Sequence, residues 1–265
     1  MLQGKTALVL SAGGMFGAYQ AGIWKALAER ETPDLVVGAS VGALNGWCIA
    51  SGCSPERLIE EWQHPDAGAA LQLFPRAGWR RGWFDPAPLR VRAERIFTSF
   101  KPRIPFALTV VRRPWLRTET VQHPDVTPAH LVATCSIPVF LPPVTINGSR
   151  YLDGGLLEKL PLRAAAELGA TRIIAVDSLP AVGRWWLRAG TNFVRLFKPS
   201  LQIPHEIEVT IITPSEDLGD VNDAVFWKRE NIDRWVEMGA RDARAALRFK
   251  GSVIDTSCPA LQDGD

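Results

Sequence analysis

The sequence predicts a three-layer α/β/α sandwich with a mainly parallel central sheet. Three observations lead there. Short β-prone apolar runs alternate with helix-length stretches along most of the chain, and that alternation builds parallel strands with helices on both sheet faces. Two early strands run directly into glycine-rich turns, Ser11–Gly17 and Gly38–Gly42, each followed by a helix. The 265 residues, 46% hydrophobic and 22% charged, fit one large α/β domain or two small ones.

The elements follow in order. Thr6–Leu10 reads as a buried strand, and Ala18 to Arg30 as a helix with Ala21, Trp24, Leu27 and Ala28 on its apolar positions. Pro33 breaks the chain. Asp34–Gly38 is the second strand, and a helix runs from just after Ser40 to near Gly52. Ser54 caps the next helix, with Pro55 in its first turn. Residues 64–103 are rich in Pro, Gly, Trp and Arg with weak periodicity, and are expected to form a cap or insertion. Phe106–Val111 returns to strand, and Thr127-Pro128 opens the helix that carries His130–Thr134. Val144–Ile146 and Arg150–Leu152 flank Asn147-Gly148, a strong hairpin signal. A helix over Pro161–Gly169, strands at Arg172–Asp177 and Ile207–Thr213, and one long helix from Ala224 to Phe249 complete the domain, expected over residues 4–250. Residues 251–265 read as a poorly ordered tail.

Charge and cysteine usage exclude several classes. A formal net charge of +2 gives no global attraction to nucleic acid, and no nucleic-acid partner is expected. Cys48, Cys53, Cys135 and Cys258 form no CxxC pair and read as reduced intracellular thiols. His64, His123, His130 and His205 show no metal-ligand spacing. The apolar run Ala7–Leu10 is too short for a signal peptide, and no stretch is long enough to span a bilayer. The expected location is cytoplasmic, or peripheral at a membrane surface.

Three motifs carry chemistry. Gly38-Ala39-Ser40-Val41-Gly42 matches GxSxG, which chance supplies in roughly one chain in ten of this length. Its placement between a strand and a helix adds weight. A nucleophile elbow turns so sharply that the residues two before and two after the serine must be small, and Gly38 and Gly42 meet that need. A plain glycine-rich turn is the alternative. Gly13-Gly14-Met15-Phe16-Gly17 again joins strand to helix, and its amides can converge on a phosphate or an oxyanion. GxGxxG would need glycine at Ala12, so an oxyanion hole from the amides of Gly13, Gly14 and Met15 fits better than a dinucleotide site. Asp153-Gly154-Gly155 ends a strand; alone it reads equally as an Asp-Gly turn. No histidine lies in a comparable setting, so a triad lacks its base. A dyad needs Asp153 to take the Ser40 proton, which an ordinary carboxylate with a pKa near ~4 does poorly. Strong oxyanion stabilisation and exclusion of water would offset that weakness.

In this order the three motifs resemble the patatin-like phospholipase family: a glycine-rich oxyanion loop, a GxSxG elbow and a distant Asp-Gly-[Gly/Ala]. Ala133–Pro143 is similar to the family's Ala-Ser-x-x-x-Pro-x-x-Phe-x-Pro block, and Leu160-Pro161 and Gly169-Ala170 also fit. The resemblance covers roughly Lys5 to Asp177. It implies an α/β/α fold, Ser40 as nucleophile, Asp153 as base, and hydrolysis of phospholipid, lysophospholipid or other acyl esters with no metal or organic cofactor. Phe16 stands where the family often keeps a cation. That removes a positive charge near the site and tilts the expected preference toward less charged esters.

Two stretches mix bulky apolar residues with cations: Arg184–Arg188, with Trp185 and Trp186, and Phe193–Lys198, with Phe193 and Phe197. They read either as an interfacial membrane contact or as a loop and helix packed over the site. Arg76–Arg81, around Trp79, is a second candidate. Two functions compete with hydrolysis: phosphate or nucleotide binding through the Gly13–Gly17 loop, and lipid binding by a catalytically silent relative.

Overall fold

The structure is a computed structural model describing residues 4–64, 66–69, 84–179, 204 and 206–248. Residues 184–198 with Trp185, Trp186, Phe193 and Phe197, the stretch around Trp79, His205, Cys258 and the expected tail lie outside the described residues. In chain order the elements are β1 (Thr6–Leu10), α1 (Gly17–Leu27), β2 (Leu35–Ala39), α2 (Val41–Ala50), α3 (Pro55–Gln63), α4 (Asp66–Ala69) and α5 (Ala87–Ser99). Then come β3 (Phe106–Arg113), β4 (Arg117–Gln122), α6 (Pro128–Ala133), β5 (Val144–Ile146), β6 (Ser149–Asp153) and α7 (Leu162–Glu167). The last are β7 (Arg172–Val176), β8 (Glu208–Ile212), α8 (Val221–Val225) and α9 (Arg229–Arg248).

Among the described residues, one sheet holds the strands in the order β5-β6-β3-β2-β1-β7-β8, with β4 also paired to β3. The stretch β3-β2-β1-β7-β8 is parallel throughout, and β4, β5 and β6 add antiparallel pairings. Side chains alternate across a strand. Leu8 and Leu10 of β1 therefore join the core under α1 and α2, while Ala7 and Val9 pack with Leu162 and Ala165 of α7 on the other face. The expected α/β/α architecture with a mostly parallel sheet is what forms.

One register positions everything that follows. The first half of β3 pairs with β2 and the second half with β6, while β4 runs along both halves and so occupies the opposite edge. Ala39 stands across from Thr109, and Asp153 across from the next residue, Val110. The ends of β2 and β6 thus meet head to head on neighbouring residues of one strand.

Two expectations are corrected, and one strand is added. Residues 87–99, read as part of a weakly periodic cap, form the helix α5, with Leu89, Ala93 and Ile96 in the core. Its apolar stripe is disguised because Arg92 takes the i+3 position and is buried. The Arg92 guanidinium lies 5.0 Å from the Trp62 ring and donates to the Ala67 carbonyl at 3.0 Å. Second, the long C-terminal helix is two helices. Asp220 caps α8 through the amides of Asn222 and Asp223, Phe226 is extended, and Trp227 is tied to the Trp62 carbonyl at 2.9 Å. Trp227 is apolar, so the pattern shows no gap. Past the break, Ile232, Trp235, Val236 and Ala243 of α9 face the core at helical spacing. The added strand is β4, which carries no apolar alternation because it is a partly exposed edge strand.

Candidate active site

The elbow forms because the chain must turn from the last residue of a fully buried strand into a helix without an intervening loop. Ser40 makes that turn at φ 54°, ψ −129°, a region in which a side chain costs on the order of 1–3 kcal/mol. The surroundings hold it there. A Cβ at Gly42 would lie 2.5 Å from the Leu10 carbonyl, and one at Gly38 would strike the Gly42 carbonyl. The Ser40 amide donates to Thr134 Oγ1 at 2.9 Å, and that hydroxyl donates onward to the Thr109 carbonyl at 2.8 Å. α2 begins at Val41, so the positive end of its dipole lies behind the serine.

Head-to-head pairing delivers the partner. Ser40 Oγ donates to Asp153 Oδ2 at 2.7 Å, and the Gly155 amide donates to Asp153 Oδ1 at 2.6 Å. The backbone is clamped as well: the Asp153 amide donates to the Ser136 carbonyl at 3.0 Å and that of Gly154 to the Thr134 carbonyl at 3.3 Å. Burial pushes the Asp153 carboxyl from 3.8 up to about 7, against the smaller downward pulls of its bonds from Ser40 and Gly155. That answers the objection to a carboxylate base, because a base works best with a pKa near the operating pH. Cys135 interacts with the Ser40 side chain, and burial pushes its thiol up, so it stays a neutral S–H.

The glycine loop sits against this pair. A Cβ at Gly155 would collide with the Ala12 side chain. Within the loop, Ala12 donates its amide to the Lys159 carbonyl at 2.8 Å and Phe16 to the Gly13 carbonyl at 3.1 Å. Among the described residues, the amides of Gly13, Gly14 and Met15 donate to no protein acceptor, and Gly14 is held at φ 57°. A buried polar network fixes the loop from behind. Gln20 Nε2 donates to the Ser11 carbonyl and to Ser178 Oγ, both at 2.8 Å. Asn45 Nδ2 donates to Gln20 Oε1 and to the Gly17 carbonyl, both at 2.9 Å, and Trp62 Nε1 donates to Asn45 Oδ1 at 2.9 Å. Such a satisfied network is rigid, and it joins loop, α1, α2 and α3.

The structure brings Ser40, Asp153, Gly38 and Gly42 together, with the Gly13–Met15 amides on the adjoining loop. Phe16 does not belong there. It is fully buried, with its ring edge-on to Trp235 at 5.0 Å, so the missing cation at position 16 says nothing about charge at the serine. Among the described residues, no histidine hydrogen-bonds Ser40 or Asp153. His130 instead caps α6 by accepting from the Thr127 amide at 3.1 Å, and burial lowers its pKa.

Thr134, Gln20, Asn45 and Ser178 were not read as site residues. Gln20 left a signal, a neutral amide in an otherwise apolar helix interrupted only by Lys25. Thr134 stands at the serine of the Ala-Ser-x-x-x-Pro block, a hydroxyl kept in place, but its role was hidden because it acts across three chain segments. Thr134→Val keeps the shape and removes the hydroxyl, stranding the Ser40 amide and the Thr109 carbonyl. Each buried unsatisfied group costs ~1–3 kcal/mol, so urea unfolding should show a loss of about 2–4 kcal/mol. Catalytic turnover should fall by about tenfold or more through misplacement of the serine.

The model of the family Patatin-like phospholipase matches residues 8–166, more than half of the chain. The chain belongs to the patatin-like phospholipase family. It is 28% identical over 186 residues to "Lysophospholipase NTE1" of Meyerozyma guilliermondii, a match covering 64% of this chain and 12% of that protein. It is 30% identical over 184 residues to "Lysophospholipase NTE1" of Yarrowia lipolytica, again 64% and 12%. With "Patatin-like phospholipase domain-containing protein 6" of Mus musculus it shares 28% over 190 residues, covering 67% and 14%. The chain therefore spans only a small part of the curated relatives it matches. Among solved structures, VipD from Legionella pneumophila superposes with a TM-score of 0.51 at 13% identity, covering 92% of this chain and 67% of that one, a likeness of fold.

Proposed function

We propose that the protein hydrolyses carboxylic esters of phospholipids or lysophospholipids through a Ser40–Asp153 dyad. The observation that carries this reading is the 2.7 Å bond from Ser40 Oγ to a carboxylate whose burial lifts it to about 7. Asp153 takes the Ser40 proton as Oγ attacks the acyl carbonyl carbon. The amides of Gly13, Gly14 and Met15 receive the oxyanion, each donor contributing about 2.7–4 kcal/mol to the barrier reduction. Collapse expels the alcohol, which leaves with the proton held by Asp153, and the acyl group stays on Ser40. Water then attacks with Asp153 again as base, releasing the fatty acid. The relatives named lysophospholipases support a lysophospholipid as substrate, and no cofactor enters the reaction. The nucleotide-binding alternative draws no support from the family match, and the Ala12 amide that such a loop would offer is engaged by Lys159.

The test is labelling with a fluorophosphonate, which phosphonylates activated serines, followed by peptide mapping and a lysophospholipid hydrolysis assay. The label is expected on the peptide containing Ser40, with fatty acid released by unlabelled protein. A folded protein that takes no label and releases no fatty acid would sink the reading.

A further inference from the structure

We propose that the tip of the β3–β4 hairpin seats this protein on an anionic lipid surface. The proposal rests on the lipid-ester reading for its purpose, although its test does not depend on it. The tip reads Arg112-Arg113-Pro114-Trp115-Leu116-Arg117. Trp115 is 78% exposed and Leu116 38%. A single exposed apolar side chain needs no explanation, but these two sit in a cationic frame. Arg150 lies across the strand pair from Arg113. Arg112 is bridged to Glu119 at 3.3 Å. Among the described residues, Arg113, Arg117 and Arg150 pair with no carboxylate, and all three are exposed. Tryptophan favours the headgroup layer of a bilayer, and arginine favours its anionic phosphates.

The topology gives the tip its direction. β2 ends opposite Thr109, where Ser40 begins, whereas β3 continues to Arg113. The tip therefore projects from the same end of the sheet as the Ser40–Asp153 pair. Arg113 lies three residues, roughly 10 Å of strand, beyond Val110, the partner of Asp153. A second apolar element stands at that end. Ile137 and Val139 are 40% and 65% exposed in the loop just after Ser136, whose carbonyl holds the Asp153 amide. Interfacial elements sink ~5–10 Å into the headgroup boundary. A tip buried to that depth brings the site mouth to the layer where phospholipid ester bonds lie. No described helix is long and apolar enough to cross a membrane; the proposed seat is a surface contact.

The experiment is vesicle flotation of the full chain with phosphatidylcholine alone or mixed with phosphatidylglycerol, at low and high salt. Wild type is expected to float with the anionic vesicles, less so at high salt. Trp115→Ala/Leu116→Ala should lower the partition coefficient about tenfold. Arg113→Gln/Arg117→Gln should lower it about fivefold for each arginine removed and flatten the salt dependence. Both variants should keep wild-type thermal midpoints and wild-type turnover of a short ester dissolved in water. Flotation of either variant equal to wild type overturns the proposal, and so does a wild type that ignores the anionic lipid. A wild type that floats but hydrolyses no ester sinks the enzymatic reading and leaves the hairpin assignment standing.

Discussion

Asp153→Asn is expected to lower ester turnover by about 10²–10⁴-fold, the range of a general base, while making the protein more stable at pH 8. The gain follows from the burial that raises the carboxyl's pKa. Its pKa is 3.8 in the ordinary state and about 7 in the folded protein. Between those values the folded chain holds a proton that the unfolded chain has released, so stability falls as pH rises through the window. The penalty is complete above about pH 7, with a ceiling of about 4 kcal/mol at ~1.36 kcal/mol per pKa unit. Asparagine does not titrate. Its carbonyl can accept from the Gly155 amide, and its NH₂ can donate to a rotated Ser40 hydroxyl. Urea unfolding should therefore separate the two proteins by about 2–4 kcal/mol at pH 8 and bring them together below pH ~4. With Asp153 as the base, wild-type kcat/KM should rise with pH through about 7. Unfolding curves that stay parallel at every pH would rule out a titrating buried Asp153.

Ser40→Ala should abolish turnover, a fall of about 10⁴-fold or more to the residual set by binding and the oxyanion loop. Ser40→Gly should do the same, and the comparison between the two variants isolates the elbow strain. Alanine keeps a Cβ at φ 54°, ψ −129°, whereas glycine visits that region freely. The relief of ~1–3 kcal/mol exceeds the ~0.5–1 kcal/mol of extra chain entropy that glycine loses on folding. Thermal or urea unfolding should place Ser40→Gly about 1 kcal/mol above Ser40→Ala. In both variants Asp153 loses the hydrogen bond that pulls its pKa down, so the carboxyl should titrate above 7. An alanine variant as stable as the glycine one would mean that the turn is not strained.

Local chemistry made the motifs legible. Asn147-Gly148 needs only two residues to specify its turn, and both adopt positive φ, at 48° and 76°. Ser54 and Pro55 open α3 as their local preferences require, with the serine accepting from the Arg57 amide. What hid was whatever depended on a distant partner. α5 looked irregular because Arg92 interrupts its stripe, and that arginine is tolerable only against the Trp62 ring and the Ala67 carbonyl. Phe16 looked like a site residue by position, and only Trp235 of α9, over two hundred residues away in sequence, made it core.

The alternation of strands and helices and the glycine positions that permit the Ser40 turn were legible along the chain, because they depend on side-chain size and backbone freedom. The pairing of Ser40 with Asp153 rested on the resemblance to the patatin-like family, because Asp153-Gly154-Gly155 alone reads equally as a turn. Tertiary structure alone decided the 2.7 Å contact between them, because it arises from two strands sharing one edge of β3. It also decided the upward shift of the Asp153 carboxyl, since desolvation depends on what the fold packs around a group. The direction of the arginine- and tryptophan-bearing hairpin followed as well, because β3 outruns β2 only once the sheet is assembled.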